Sequence, residues 1–161
     1  MIAFLVLGLL VGVQTPGQGS PPPAGAANAQ AGATDTAALR KIAEDLNRKQ
    51  TEAFHKGDML GVAKFYADDA TIYYPHYPSR QGRQIRGREE INKYWLAVKK
   101  PKEWKLDVHE VGGTPEAIWV IGRTTLTHVV DGKDSTYAAD FVVIWKRQPD
   151  GSYRIHADIY N

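Results

Sequence analysis

The spacing of hydrophobic positions divides this chain into three stretches. Ile2 to Val13 is an unbroken apolar run of 12 residues, shorter than the roughly 20 that cross a bilayer. It reads as the core of an export signal. From Leu39 the apolar residues recur at helical spacing, through Ile42, Ala43, Leu46, Ala53 and Phe54 to a stop at Gly57. With Thr34, Asp35 and Thr36 available as N-caps, this predicts an amphipathic helix of about five turns. Asp58 then caps a second, short helix with Leu60, Ala63 and Phe65 inward. Ala70 to Tyr74 predicts a strand ended by Pro75, and Arg88 to Val98 a third helix with Ile91, Tyr94, Trp95 and Val98 on one side.

From Trp104 onward the period shortens to that of strands, over Trp104 to Val111, Ala117 to Val130, Ser135 to Arg147 and Ser152 to Tyr160. Gly112-Gly113, Asp131-Gly132 and Pro149-Asp150-Gly151 separate them and are hairpin signals, so an antiparallel meander is expected. Helices first and a long bent sheet afterwards make an α+β domain: a long N-terminal helix and two shorter ones packed on a strongly bent antiparallel sheet. Ile118 to Ile121 and Phe141 to Trp145 are apolar at both parities, which requires cover on both faces. Helices can shield one face, and a homodimer through the other is the economical partner.

Composition sharpens this division. The 161 residues carry a formal net charge of +2 and no cysteine, which excludes disulfides, thiolate metal sites and thiol nucleophiles. Every charged side chain lies beyond residue 33. Residues 1–33 therefore read as a signal peptide and a disordered Pro/Gly/Ala-rich leader, and residues 34–161 as the domain. Ala27-Asn28-Ala29 offers a cleavage pattern, although Met1 to Phe4 lacks the usual basic residue, and an uncleaved anchor is the alternative. The expected location is secreted or periplasmic, with no stable membrane association once the signal is removed.

Chemistry must then come from carboxylates, histidines and tyrosines. The last strand alternates Tyr153, Ile155, Ala157 and Ile159 with Arg154, His156, Asp158 and Tyr160. On a regular strand His156 and Asp158 share one face about 7 Å apart. If that face lines a cleft, desolvation raises the Asp158 pKa and suits it to proton transfer; if it is the wet face, Asp158 pairs with a surface arginine. Asp140 interrupts an otherwise apolar stretch, either as a functional carboxylate or in an ion pair with Arg123. His128 lies near the same hairpin without a rankable role. Catalytic candidates are Asp158, His156 and Asp140; candidate ligand contacts are Trp95, Arg123 and Tyr160, together with Tyr74 and His76, whose place at a pocket mouth is what the family resemblance given below implies. Core packing is the alternative for Tyr73, Tyr74 and Trp95, and an exposed loop position for His76. No further donor joins His156 and Asp158, so no metal is expected. There is no phosphate loop, nucleotide motif or nucleophile elbow, so no cofactor is expected. The basic residues Arg80, Arg83, Arg86, Arg88, Lys99, Lys100 and Lys102 belong to no nucleic-acid-binding motif, and no nucleic-acid partner is expected.

The order GDMLGVAKFYADDATIYYP, GREEINKYW and DFVVIWKRQPDGSYRIHADIYN resembles the SnoaL-like, domain-of-unknown-function branch of the nuclear transport factor 2-like superfamily, related to ketosteroid isomerase-like and polyketide cyclase-like proteins. Tyr153 and Tyr160 stand where relatives often carry Trp. The resemblance implies a cone of bent sheet around a long helix, a small-molecule pocket at its open end near Tyr73 to Tyr77, and frequent dimers. Asp158 falls where cyclase-like relatives place an acid/base. Two functions follow from the resemblance: cofactor-independent isomerase, cyclase or dehydratase chemistry on a small apolar substrate, or a non-catalytic ligand-binding or dimerisation module.

Overall fold

A computed structural model describes residues 35–73, 84–98 and 101–161. The leader, Tyr74, His76, Arg80, Arg83, Lys99 and Lys100 lie outside the described residues. Helix α1 (Thr36–His55) begins where the Asp35 carboxylate accepts from the amides of Ala37 and Ala38, at 3.0 and 3.2 Å. It ends at Gly57, whose φ of 74° suits a residue without a Cβ. Asp58 caps α2 (Met59–Ala63) through a 2.7 Å bond from Gly61 N–H. The inward side of α2 differs from expectation: Met59, Val62 and Ala63 are buried, while Leu60 is exposed. Asp58 is the cap as expected, Ala63 is buried and Phe65 packs against the core, so the departure is Leu60, whose inward place Met59 and Val62 take. Helix α3 (Arg88–Leu96) buries Ile91 and Trp95.

The strands are β1 (Tyr66–Tyr73), β2 (Gln84–Arg86), β3 (Pro101–Thr114), β4 (Ala117–Val130), β5 (Lys133–Arg147) and β6 (Tyr153–Tyr160). They form one sheet in the order β2-β1-β6-β5-β4-β3. Strands β3 to β6 are the expected antiparallel meander, but β1 joins β6 in parallel, so the sheet is mixed. The β4–β5 connection is as tight as Asp131-Gly132 predicts: both residues have positive φ, 49° and 78°, as a two-residue type I′ turn requires. The glycine pair Gly112-Gly113 stays within β3, and the chain reverses after Thr114.

Bulges supply the bend. Register shifts occur in β3 between Val108 and Glu110, in β1 between Tyr66 and Thr71, and in β6 where Ile155 and Ala157 face the consecutive residues Trp145 and Ile144. Each extra residue kinks its strand, so the sheet curls around α1. Arg40 fixes the helix to the β3 bulge, donating to the Val108 and His109 carbonyls at 3.2 and 2.7 Å. The core between helices and sheet contains Phe54, Tyr66, Ile72, Ile91, Ile118, Val120, Trp145 and Ile155, all fully buried.

Candidate functional site

Inside the curl lies a cavity of about 470 Å³. Its walls follow from strand parity. In β5 the odd residues Tyr137, Phe141, Val143 and Trp145 point inward, and in β4 the even residues Thr124 and Leu126 do. Gly122 faces Phe141 across the strands, and a Cβ there would come within 2.6 Å of the Phe141 ring. The missing side chain is what lets that ring lie over β4. Helix α3 brings Tyr94 and Trp95, and β3 brings Trp104. The Trp95 and Trp104 rings lie 5.1 Å apart, and Trp104 Nε1 donates to Thr124 Oγ1 at 2.9 Å.

On β6 the cavity-lining residues are Ile155, Asp158 and Tyr160, odd and then even. The bulge causes this change of parity. Trp145 pairs with Ile155 and Ile144 with Ala157, so His156 is the extra residue and every position after it is rotated by one. Asp158 then faces inward opposite Val143, and Tyr160 opposite Phe141. His156 is separated from Asp158 by the same bulge. It does not line the cavity and lies instead 3.8 Å from the Asp69 carboxylate. The expectation that His156 and Asp158 share one face is corrected accordingly.

Asp158 is half-buried, and its Oδ2 accepts a 2.7 Å hydrogen bond from the Tyr66 hydroxyl. Loss of hydration raises its pKa to about 6, while the bond from Tyr66 opposes the rise. Tyr66, 1% exposed, is pushed well above the normal phenol value, by burial first and by the neighbouring carboxylate second, so it remains a protonated donor. Arg88 holds Tyr66 from behind, donating to the Tyr66 and Ala63 carbonyls and to Asp68. Next to this pair the hydroxyls of Tyr94 and Tyr160 lie 2.9 Å apart. A carboxylate near neutrality in a wall of aromatic rings can take a proton from carbon or oxygen and give it back.

The other sequence candidates are placed as follows. Trp95 and Tyr160 line the cavity. Asp140 and Arg123 do not: they pair directly across β4 and β5 on the outer face, in a 2.8 Å ion pair exposed to solvent. Asp140 alternates with inward Phe141, so parity alone sends it outward. Tyr74 and His76 lie outside the described residues. Tyr66 was missed because Asp68 and Asp69 interrupt the apolar pattern before Ala70 and conceal the start of β1. Asn47 and Gln50 were missed as well, although they continue the inward stripe Leu39, Ala43, Phe54 at helical spacing. Among the described residues no three His, Asp or Glu side chains come together as a metal site, and no helix is long and apolar enough to cross a membrane.

Residues 47–156 match the family model described as a SnoaL-like domain. The chain belongs to that family. Its fold is similar to a nuclear transport factor 2-like protein of unknown function from Shewanella oneidensis, at 18% identity and a TM-score of 0.61 over 75% of this chain and 97% of that one. A ketosteroid isomerase-like protein from Erwinia carotovora matches equally well, at 18% identity and 0.61, covering 74% of this chain and 92% of the other. A nuclear transport factor 2-like protein with a cystatin-like fold from Novosphingobium aromaticivorans aligns at 12% identity and 0.56, over 84% and 85%. No curated protein matches the sequence. These likenesses establish the SnoaL-like fold, a few helices packed on a six-stranded mixed sheet; at such identities they leave the chemistry to the site.

Proposed function

We propose that this SnoaL-like domain binds a small, largely apolar molecule in the cavity and moves a proton on it without a cofactor, as an isomerase, cyclase or dehydratase does. The observation that carries this reading is Asp158, a carboxylate with a pKa of about 6 on the wall of an aromatic cavity, held by Tyr66. Tyr66 occupies Oδ2, which leaves Oδ1 for the substrate. Asp158 takes a proton from a carbon next to a carbonyl, the electron pair passes to the carbonyl oxygen, and the proton returns to a different carbon or to a leaving hydroxyl. The likeness to a ketosteroid isomerase-like protein supports the same class of reaction.

The test needs no knowledge of the natural substrate. In D2O, 1-tetralone loses its α-proton signal as deuterium enters, and wild-type protein is expected to accelerate that loss. Asp158→Asn should slow it by about a hundredfold or more while retaining binding, followed by quenching of cavity tryptophan fluorescence. Binding without accelerated exchange would instead make the domain a ligand carrier.

The outer sheet face supports a homodimer. Trp119 pairs with Ile144, and Ile121 with Val142, which in turn pairs with Ile159, giving one connected apolar patch. Trp119 is 39% and Ile159 44% exposed, and a connected exposed apolar patch is the mark of an interaction surface. Export rests on the apolar run at Ile2 to Val13 and the charge-free leader. N-terminal sequencing of protein recovered from the cell exterior or periplasm tests it.

A further inference from the structure

Among the polar side chains that line the cavity and that the proton transfer above does not use are two amides. Asn47 and Gln50, 6% and 3% exposed, sit one turn apart on α1 and line the same cavity. Among the described residues Asn47 Nδ2 and Gln50 Nε2 have no hydrogen-bond partner, a status shared by the ring N–H groups of Trp95 and Trp145 on the same wall. A buried amide left unmatched is costly. The terminal torsions of Asn and Gln are broad, so either amide can turn an N–H toward an occupant without moving α1.

Their placement is directional. Helix α1 packs chiefly against β3, whereas Asp158 lies on β6, which is separated from β3 by β5 and β4. The amides and the carboxylate therefore reach the one cavity from different elements of its wall. Aromatic rings from Trp95, Trp104 and Phe141 line the same cavity.

We infer that Asn47 and Gln50 are the specificity-determining donors of this site, and that its ligand is an uncharged, ring-bearing molecule presenting an acceptor oxygen, of the carbonyl type, to α1. This rests on the cavity being a small-molecule site and adds the class of ligand that the site selects. An anionic ligand is disfavoured, because the amides carry no charge and Asp158 repels it as a carboxylate. A pure hydrocarbon would leave both amides unmatched.

Two probes of the same shape separate the possibilities: 1-tetralone, and tetralin, which lacks the oxygen. Tryptophan fluorescence titration of wild-type protein is expected to show about tenfold tighter binding of 1-tetralone. Asn47→Leu and Gln50→Met should each bring the two affinities closer together by weakening 1-tetralone and leaving tetralin unchanged, with melting temperature equal to or above wild type. An unchanged preference in both variants would overturn the inference and make the amides internal polar groups hydrated by water. Asp158→Asn is the control: it should slow deuterium exchange as above and leave the preference for 1-tetralone intact, so failure of the catalytic reading is recorded separately. If neither probe binds wild-type protein, the small-molecule reading falls and this inference with it.

Discussion

The Tyr66 hydroxyl donates to Asp158 Oδ2 at 2.7 Å, joining the neighbouring strands β1 and β6 through the acid of the cavity. The bond has two opposite effects. It fixes the carboxylate's direction, and it moderates the pKa rise that burial imposes.

Tyr66→Phe removes the moderating donor and leaves the desolvation. The Asp158 pKa is expected to rise above about 6, so the pH at which deuterium exchange reaches half its maximum should move upward. Because the carboxylate loses a hydrogen bond made in a buried setting, stability at pH 8 should fall by about 1 to 2 kcal/mol. A pH–rate profile and urea denaturation check the two effects. A profile displaced to lower pH would contradict the assigned direction.

Asp158→Asn is expected to stabilise the fold at high pH. The folded pKa of about 6 exceeds the ordinary value of 3.8, so the folded state binds the proton more tightly than the unfolded chain does. The resulting stabilisation is complete below about pH 4 and is lost as pH rises through 6. At pH 8 the wild type holds a partly desolvated anion that the amide variant lacks. The variant should then be more stable by on the order of 2 kcal/mol, with the difference shrinking toward pH 4. Chemical denaturation of both proteins across that range measures it.

Much of this architecture is readable from the chain. The α1 stripe, the boundaries of β4 and the Asp131-Gly132 turn each follow from local rules, because the decisive interactions lie within a few residues. Asp140 and Arg123 needed only the parity of β5 to be placed outside. The site was less legible. Whether Asp158 faces in or out depends on an extra residue at His156, and no local pattern in β6 announces it. Tyr66 depends on a parallel pairing between segments nearly ninety residues apart in sequence. Asn47 and Gln50 did carry a signal, two amides on an otherwise apolar helical stripe, that a search restricted to ionisable groups passes over.

Arg123→Ala and Asp140→Asn test the placement on the outer face. Their ion pair is 49% and 61% exposed at the two side chains, and pairs of this kind contribute at most about 1 kcal/mol. Each variant is expected to change stability by no more than that, to leave 1-tetralone binding and exchange unchanged, and to become indistinguishable from wild type in high salt.

Ile159→Lys and Trp119→Lys address the dimer. Placing a charge within the connected apolar patch should convert dimer to monomer, read as a halved mass by light scattering, because an unpaired charge in an apolar interface costs several kcal/mol. Wild-type protein running as a monomer at micromolar concentration would remove the basis for the proposal.

The bulge at His156 has a consequence for how this domain could lose its chemistry. The same eight residues of β6 can also be laid down as a regular strand, in which Asp158 would fall on the outer face with Ala157 taking its place inside. Nothing in the composition would change and most of the hydrophobic core would survive, yet the acid would be in bulk water with an ordinary pKa. The carboxylate's address is therefore written in the main-chain pairing of β5 with β6. A one-residue slip of that ladder would silence the cavity without unfolding the protein.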